Sequence, residues 1–261
     1  TAFDVTQPIP ANEITTFYCL HSCQGMLEYW FAHYDKAEHS MQAAIAALPG
    51  AIGLAGVPPV YFYDCMAKLA VLALRKGQVQ QRLLAGLETS FAQLQRSADF
   101  CPVNHSHRVL LVQAERLRLT EASWAVLDLY DQAIEQAHCN GYLQEEGLAH
   151  ERAAEFALAL GKQTIGRAYL VQAYRIYGRW GARAKVRALE RAYPFLSHPD
   201  TMTETTVGYE VTPEKLDLIS VLKAAEVLSG EIQLDSLLKK TMAMFIENAG
   251  AQERLLLLPD G

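Results

Sequence analysis

The sequence predicts an all-α fold, a superhelical solenoid of stacked helix hairpins, on three observations. From about residue 11 to 193 apolar residues recur every three and four positions, glutamine and alanine are plentiful, and β-branched runs are scarce. Clusters of turn-forming residues cut this stretch into pieces, each long enough for one helix. A small–large–small triplet, spaced by four and then three, returns in the second helix of each successive pair.

The cuts fall at LPGAIGLAGVPP (48–59), RKGQ (75–78), CPVNHSH (101–107), LTEAS (119–123), CNGY (139–142) and LGKQT (160–164). Ala37, Met41 and Ala44 form the first triplet; Leu83, Leu87 and Ser90 the second; Val126, Tyr130 and Ala133 the third; Gly166, Leu170 and Ala173 the fourth. Their last members are 46, 43 and 40 residues apart, a period that suits stacked helix pairs. A small residue lets two helices approach while the large one fills the groove between them, so hairpin packing asks for this spacing.

Residues 168–194, AYLVQAYRIYGRWGARAKVRALERAYP, raise the question of a nucleic-acid surface. At about 100° per residue, Leu170, Ala173, Tyr174, Tyr177, Gly181, Ala184, Ala188 and Ala192 share one apolar sector, provided the helix runs through Gly178 and Gly181. Arg175, Arg179, Arg183 and Arg187 then form a solvated face with Trp180 beside them, a candidate interaction face. The overall balance argues against nucleic acid as partner: 23 basic residues against 29 acidic give a net charge of −6.

At 261 residues and 51% hydrophobic, the chain can bury a sizeable core. Five cysteines, an odd number with no signal peptide, fit reduced thiols in the cytoplasm better than a disulfide framework. Residues 43–63 hold no charge over a length that could span a bilayer, yet Pro49, Pro58 and Pro59 would break the helix that lipid demands. No membrane contact is expected. The chain opens on Thr rather than Met and closes on the strand-like LLLLPDG, which reads as a segment of a longer protein.

No motif assembles a catalytic site, a cofactor site or a metal site. Gly161-Lys162-Gln163-Thr164 resembles the end of a phosphate-binding loop, but Phe156 stands where that loop needs its first glycine and Gln163 where it needs Ser or Thr. Gly50, Gly53 and Gly56 lack the dinucleotide-binding spacing and a preceding strand. His150-Glu151 begins like a zinc-protease motif whose second histidine is Ala154. Cys101, His105 and His107, like Cys19, His21 and Cys23, offer soft donors without a four-ligand pattern. Glu145 and Glu146 open a helix, where carboxylates favour the positive end of its dipole.

After Pro194 the texture changes. Residues 196–212 read as a linker, short of large apolar residues and rich in threonine. Thr212 and Pro213 then read as a helix start, and Leu218, Val221, Ala225, Leu228 and Ile232 follow at coiled-coil spacing, a candidate dimer seam. A further helix over LDSLLKKTMAMFIENAGAQ and a strand over ERLLLL close the chain.

The run NGYLQEEGLAHERAAEFALALGKQTIGRAYLVQAYRIYGRWGARAKVRALERAYP resembles the tetratricopeptide-like region of very large signalling kinases. VPPVYFYDCMAKLAVLAL is similar to an earlier repeat helix of that family, and LDLISVLKAAEVLSGEIQLDSLLKKTMAMFIENAGAQERLLLL to its passage into a GAF sensor domain. The resemblance implies a tetratricopeptide-like solenoid over 1–195, a linker over 196–212, and a signalling helix with a truncated GAF start over 213–261. It implies a parent chain of serine/threonine kinase, AAA-type ATPase, helical repeats, GAF and histidine kinase, a two-component signal-transduction protein. The expected role of this segment is a non-catalytic scaffold and relay. Its partners would be the parent's own kinase, ATPase and sensor domains or a peptide, with dimerisation through residues 213–232. The alternatives are a nucleic-acid-binding helical repeat, the repeat region of an ATPase-linked transcriptional regulator, and a metal-dependent enzyme built on Cys101, His105 and His107.

Overall fold

The computed structural model describes residues 13–51, 53–54 and 56–197, all within the first of two units into which the chain divides, Thr1–Thr205. The linker beyond residue 197, the seam at Leu218, Val221, Ala225, Leu228 and Ile232, and the expected GAF start lie outside the described residues.

Among the described residues the chain is all-helical, with no strand. Nine α-helices follow one another: α1 (Ile14–Trp30), α2 (Tyr34–Ala46), α3 (Val57–Leu72), α4 (Gly77–Phe100), α5 (Pro102–Leu117), α6 (Trp124–Cys139), α7 (Leu143–Ala159), α8 (Gln163–Trp180) and α9 (Arg183–Ala192). Each packs on its neighbour in sequence, and α1 also meets α3, α3 meets α5, and α5 meets α7. The charge-free run at 43–63 is the end of α2, a 3-10 turn at Leu48–Ala51 and the start of α3, with Pro58 and Pro59 in that helix's first turn. No helix among the described residues is long and apolar enough to cross a membrane.

All twelve triplet residues are buried, and they sit on α2, α4, α6 and α8, the second helix of each pair. Gly166 shows why the pattern wants a small residue. A Cβ there would stand 2.5 Å from Leu158 Cγ and 3.2 Å from the Ala154 carbonyl oxygen, both on α7. Gly147 does the same from the other side, where a Cβ would meet Tyr177 Cε1 at 2.5 Å.

Two sequence expectations need correction. The helix expected through Gly178 and Gly181 ends at Trp180, because Gly181 takes the left-handed conformation (φ 83°) and the Ala182 N–H turns back to the Tyr177 carbonyl at 2.9 Å. Ala184, Ala188 and Ala192 therefore belong to a separate helix, α9, in which Leu189 is the buried residue, and the arginine row is split, Arg175 and Arg179 on α8, Arg183 and Arg187 on α9. The expected break at 101–107 is a single residue, Cys101. Pro102 starts α5 at once, its missing N–H costing nothing in a first turn, and Asn104 to His107 are helical.

Polar side chains tie the pairs to one another in register. Arg108 on α5 donates from Nε and Nη2 to Glu145 Oε1 on α7, at 2.9 and 2.6 Å. Seven residues further along both helices the polarity is reversed. Arg152 on α7 donates from Nε to Glu115 Oε1 at 3.0 Å and from Nη2 to Oε2 at 2.9 Å. Both rungs join residues 37 apart, so α5 and α7 run parallel. Tyr169 on α8 donates to Asp131 on α6 at 2.5 Å with an offset of 38, linking the second helices of those two pairs.

The row also turns back on itself. Arg152 donates to Tyr34 Oη at 3.1 Å, and Lys185 on α9 donates to the Trp30 carbonyl oxygen at 2.7 Å. The Trp30 ring meets Tyr177 edge-on at 5.5 Å and lies 5.4 Å from Trp180. The corner between α1 and α2 thus rests on α7, α8 and α9.

Candidate functional site

A recess of about 900 Å³ lies where the first pair meets the last. Its walls come from the C-terminal turns of α1, the start of α3, the start of α7 and the Trp180–Lys185 corner. Met26, Leu27, Trp30 and Phe31 supply the α1 wall because that end of the helix is apolar on nearly every side. The volume falls in the range of pockets that hold small ligands or a few anchoring side chains.

Helix ends explain how the recess is built. The last carbonyls of α1 have no partner within the helix, and Lys185 meets one of them at Trp30 while pairing with Glu151 Oε1 at 2.8 Å. Its ammonium also stands 5.8 Å from the ring centroids of Trp30 and Tyr177, within reach of a cation–π attraction. Trp30 is fixed from below, since its Nε1 donates to Tyr63 Oη at 2.8 Å. The lip is apolar and open: Leu27 is 61% exposed, Trp180 43% and Phe31 40%.

The charged groups around the recess are unequal. Arg108 is held by Glu145 and Lys185 by Glu151, whereas Arg183 is exposed and forms no ion pair among the described residues. Glu145 Oε2 has no hydrogen-bond partner there, and burial pushes that carboxyl's pKa up although Arg108 opposes the shift. Glu115, in the other rung, goes the opposite way. Burial would raise its pKa, but the charge and hydrogen bonds of Arg152, then Arg118 and the Tyr130 hydroxyl at 2.5 Å, hold it below the usual carboxylate value.

Of the candidate interaction face, Trp180 and Arg183 line the recess, while Arg175, Arg179 and Arg187 are exposed and stand outside its lining. Glu145 and Glu146 open α7 as expected, but both are buried. Glu145 answers Arg108, and Glu146 bonds His138 Nδ1 at 2.9 Å, so each carboxylate makes an inter-helix pair in addition to its place in the first turn. Sequence reasoning missed these partners, although Arg and Glu with reversed polarity at a shared spacing of seven is a signal it could have used.

The donors Cys101, His105 and His107 do not form a ligand set. His105 Nδ1 lies 3.2 Å from Arg108 Nη1, and His107 is buried and stacked on Tyr142 with centroids 4.4 Å apart. Burial, with Arg108 adding, holds the His107 pKa down to about 3. Cys19 and Cys23 are exposed on α1. Among the described residues no group of three or more His, Cys, Asp or Glu side chains converges as metal ligands would.

No protein-family model matches the sequence, and no curated protein or solved structure is significantly similar to it.

Proposed function

We propose that this segment is a protein-interaction scaffold without catalytic activity of its own, its helix pairs forming a tetratricopeptide-like solenoid. In the longer chain that the sequence resembles, it would relay signals between kinase and ATPase domains and a GAF sensor, in the cytoplasm. The observation that carries the scaffold reading is the recess between the first and last pairs, whose apolar lip at Leu27, Phe31 and Trp180 stays open to solvent. Exposed apolar surface gathered around a concavity is what a partner's side chains fill. The parallel rungs between α5 and α7 support the solenoid reading, because parallel first helices arise when hairpins follow one another in a row.

Two measurements test this. Mixed-sequence oligonucleotides titrated at low salt should show no binding; a salt-sensitive complex lost on replacing Arg175, Arg179 and Arg187 by alanine would overturn the reading in favour of a nucleic-acid module. The reading frame on either side should hold kinase and ATPase motifs upstream and a complete sensor with a histidine kinase downstream. Flanks without them would remove the relay role.

A further inference from the structure

We infer that the recess takes a peptide segment that carries a large apolar side chain close to an aspartate or glutamate. This rests on the scaffold reading and names the partner's chemistry. The apolar anchor would enter between Leu27 near the end of α1, Phe31 just beyond it and Trp180 at the end of α8, and the carboxylate would meet Arg183.

Charge selects the partner. Three cations and one carboxylate line the recess, Arg108, Arg183 and Lys185 with Glu145. Glu145 takes up Arg108, and Glu151 just outside the lining takes up Lys185, each through bonds of 2.6 to 2.9 Å. Arg183 is left over. It stands on the first residue of α9, and Arg179 and Arg187 are exposed on the flanking turns. An otherwise acidic chain, of net charge −6, thus presents a local excess of positive charge beside its apolar lip. A partner with an acidic group is attracted there, and one with a basic group is turned away.

The lip decides the size of the occupant. A small-molecule pocket encloses most of its ligand, whereas Leu27, Phe31 and Trp180 keep 40 to 61% of their surface open at the mouth. An occupant that covers them must extend outward along α1, as a short amphipathic helix or turn does when it lies in a groove. A nucleic acid would need several unspent cations facing the same recess, and two of the three there are already paired.

The test is selection of a random 12-residue peptide display library on the complete chain, followed by titration of individual peptides by tryptophan fluorescence. Enriched sequences should share Phe, Trp or Leu with a nearby Asp or Glu at a constant spacing. Leu27→Asp should weaken them about tenfold or more, as loss of a central apolar anchor does. Arg183→Glu should weaken them by a similar factor and, when selection is repeated on it, enrich Lys or Arg in place of the acid. Both side chains are exposed, and circular dichroism would verify that the variants keep their helices. Peptides that bind equally well to both variants would overturn the recess assignment and leave the scaffold reading standing. No enrichment at all would count against both. Binding of decanoate alone, or Leu27-dependent self-association without peptide binding, would replace the peptide with an acyl chain or a second copy and so overturn the inference.

Discussion

The inner helices α3 and α7 and the outer helices α4 and α8 are built on different rules. Eleven of 16 residues in α3 and eleven of 17 in α7 are buried, against five of 24 in α4 and five of 18 in α8. An outer helix needs only one apolar stripe, so four or five residues at a spacing of three and four suffice. An inner helix is covered by more than its hairpin partner: α3 also meets α1, α2 and α5, and α7 also meets α5 and α6. It must bury nearly every face, and it buries charge as well: Asp64 and Lys68 on α3, Glu145, Glu151 and Arg152 on α7. Specific pairing is concentrated on the inner helices, and simple amphipathic packing on the outer ones.

The inner rule breaks most severely at its ion pairs, and the two rungs should not break alike. Glu115 receives both Arg152 nitrogens, Arg118 and the Tyr130 hydroxyl, while Glu145 receives Arg108 alone on one oxygen. Glu115→Gln leaves Arg152 with Glu155 at 2.7 Å and the Tyr34 hydroxyl but without its two-bond partner, and should cost about 3 kcal/mol in urea unfolding, the lower end of the usual penalty for halving a buried pair. Glu145→Gln should cost distinctly less, since its carboxylate is poorly compensated to begin with. Acid titration sharpens the contrast. The folded pKa of Glu115 is depressed, so its stabilisation is present above the unfolded value near 4.5 and is lost as pH falls through the folded value. The folded pKa of Glu145 is raised, so its contribution is greatest below 4.5 and declines as pH rises through the folded value. Wild type should lose stability below pH 4.5 more steeply than Glu115→Gln; equal slopes would deny Glu115 this role.

Where the two kinds of helix meet, the fit is steric. Gly147 on α7 faces the ring of Tyr177 on α8, and that ring cannot swing aside because its hydroxyl donates to Glu151 Oε2 at 2.6 Å. Gly147→Ala should therefore destabilise by about 1–3 kcal/mol, the range for overpacking a filled interior, despite alanine's better helix propensity. A gain in melting temperature would show that α7 and α8 can slide apart at little cost.

The same contrast explains what the sequence disclosed. Periodicity located the outer helices and their buried triplets, because residues such as Val126, Tyr130 and Ala133 stand out against polar neighbours. On α7, bounded in the sequence by the turn residues at 139–142 and 160–164, it picked out no single stripe, because glutamates, alanines and an arginine are buried together there. Charged residues read as solvated by default, so the rungs between α5 and α7 were missed, although the reversed Arg and Glu at 108/115 and 145/152 carry their spacing in the sequence. The recess was half legible: Trp180 and Arg183 were singled out for their surroundings in the chain, but Leu27, Trp30 and Phe31 lie about 150 residues earlier. Only closure of the row brings the two stretches together.

The smallest effect separates local propensity from turn geometry at two neighbouring glycines. Gly178 is exposed in the last turns of α8, and a Cβ there would meet nothing within 4 Å. Gly178→Ala removes backbone freedom from the unfolded chain without a clash, so it should raise stability by about 0.5–1 kcal/mol, read as a higher urea midpoint at unchanged slope. Gly181, three residues on, also has open space around it, but its φ of 83° is one that alanine adopts only under strain. Gly181→Ala should accordingly lower stability, although it removes the same freedom. Opposite signs at sites that differ in φ and not in crowding would locate the end of α8 at Gly181. A gain at both would mean that α8 and α9 can join into the continuous helix that the apolar sector in the sequence suggests.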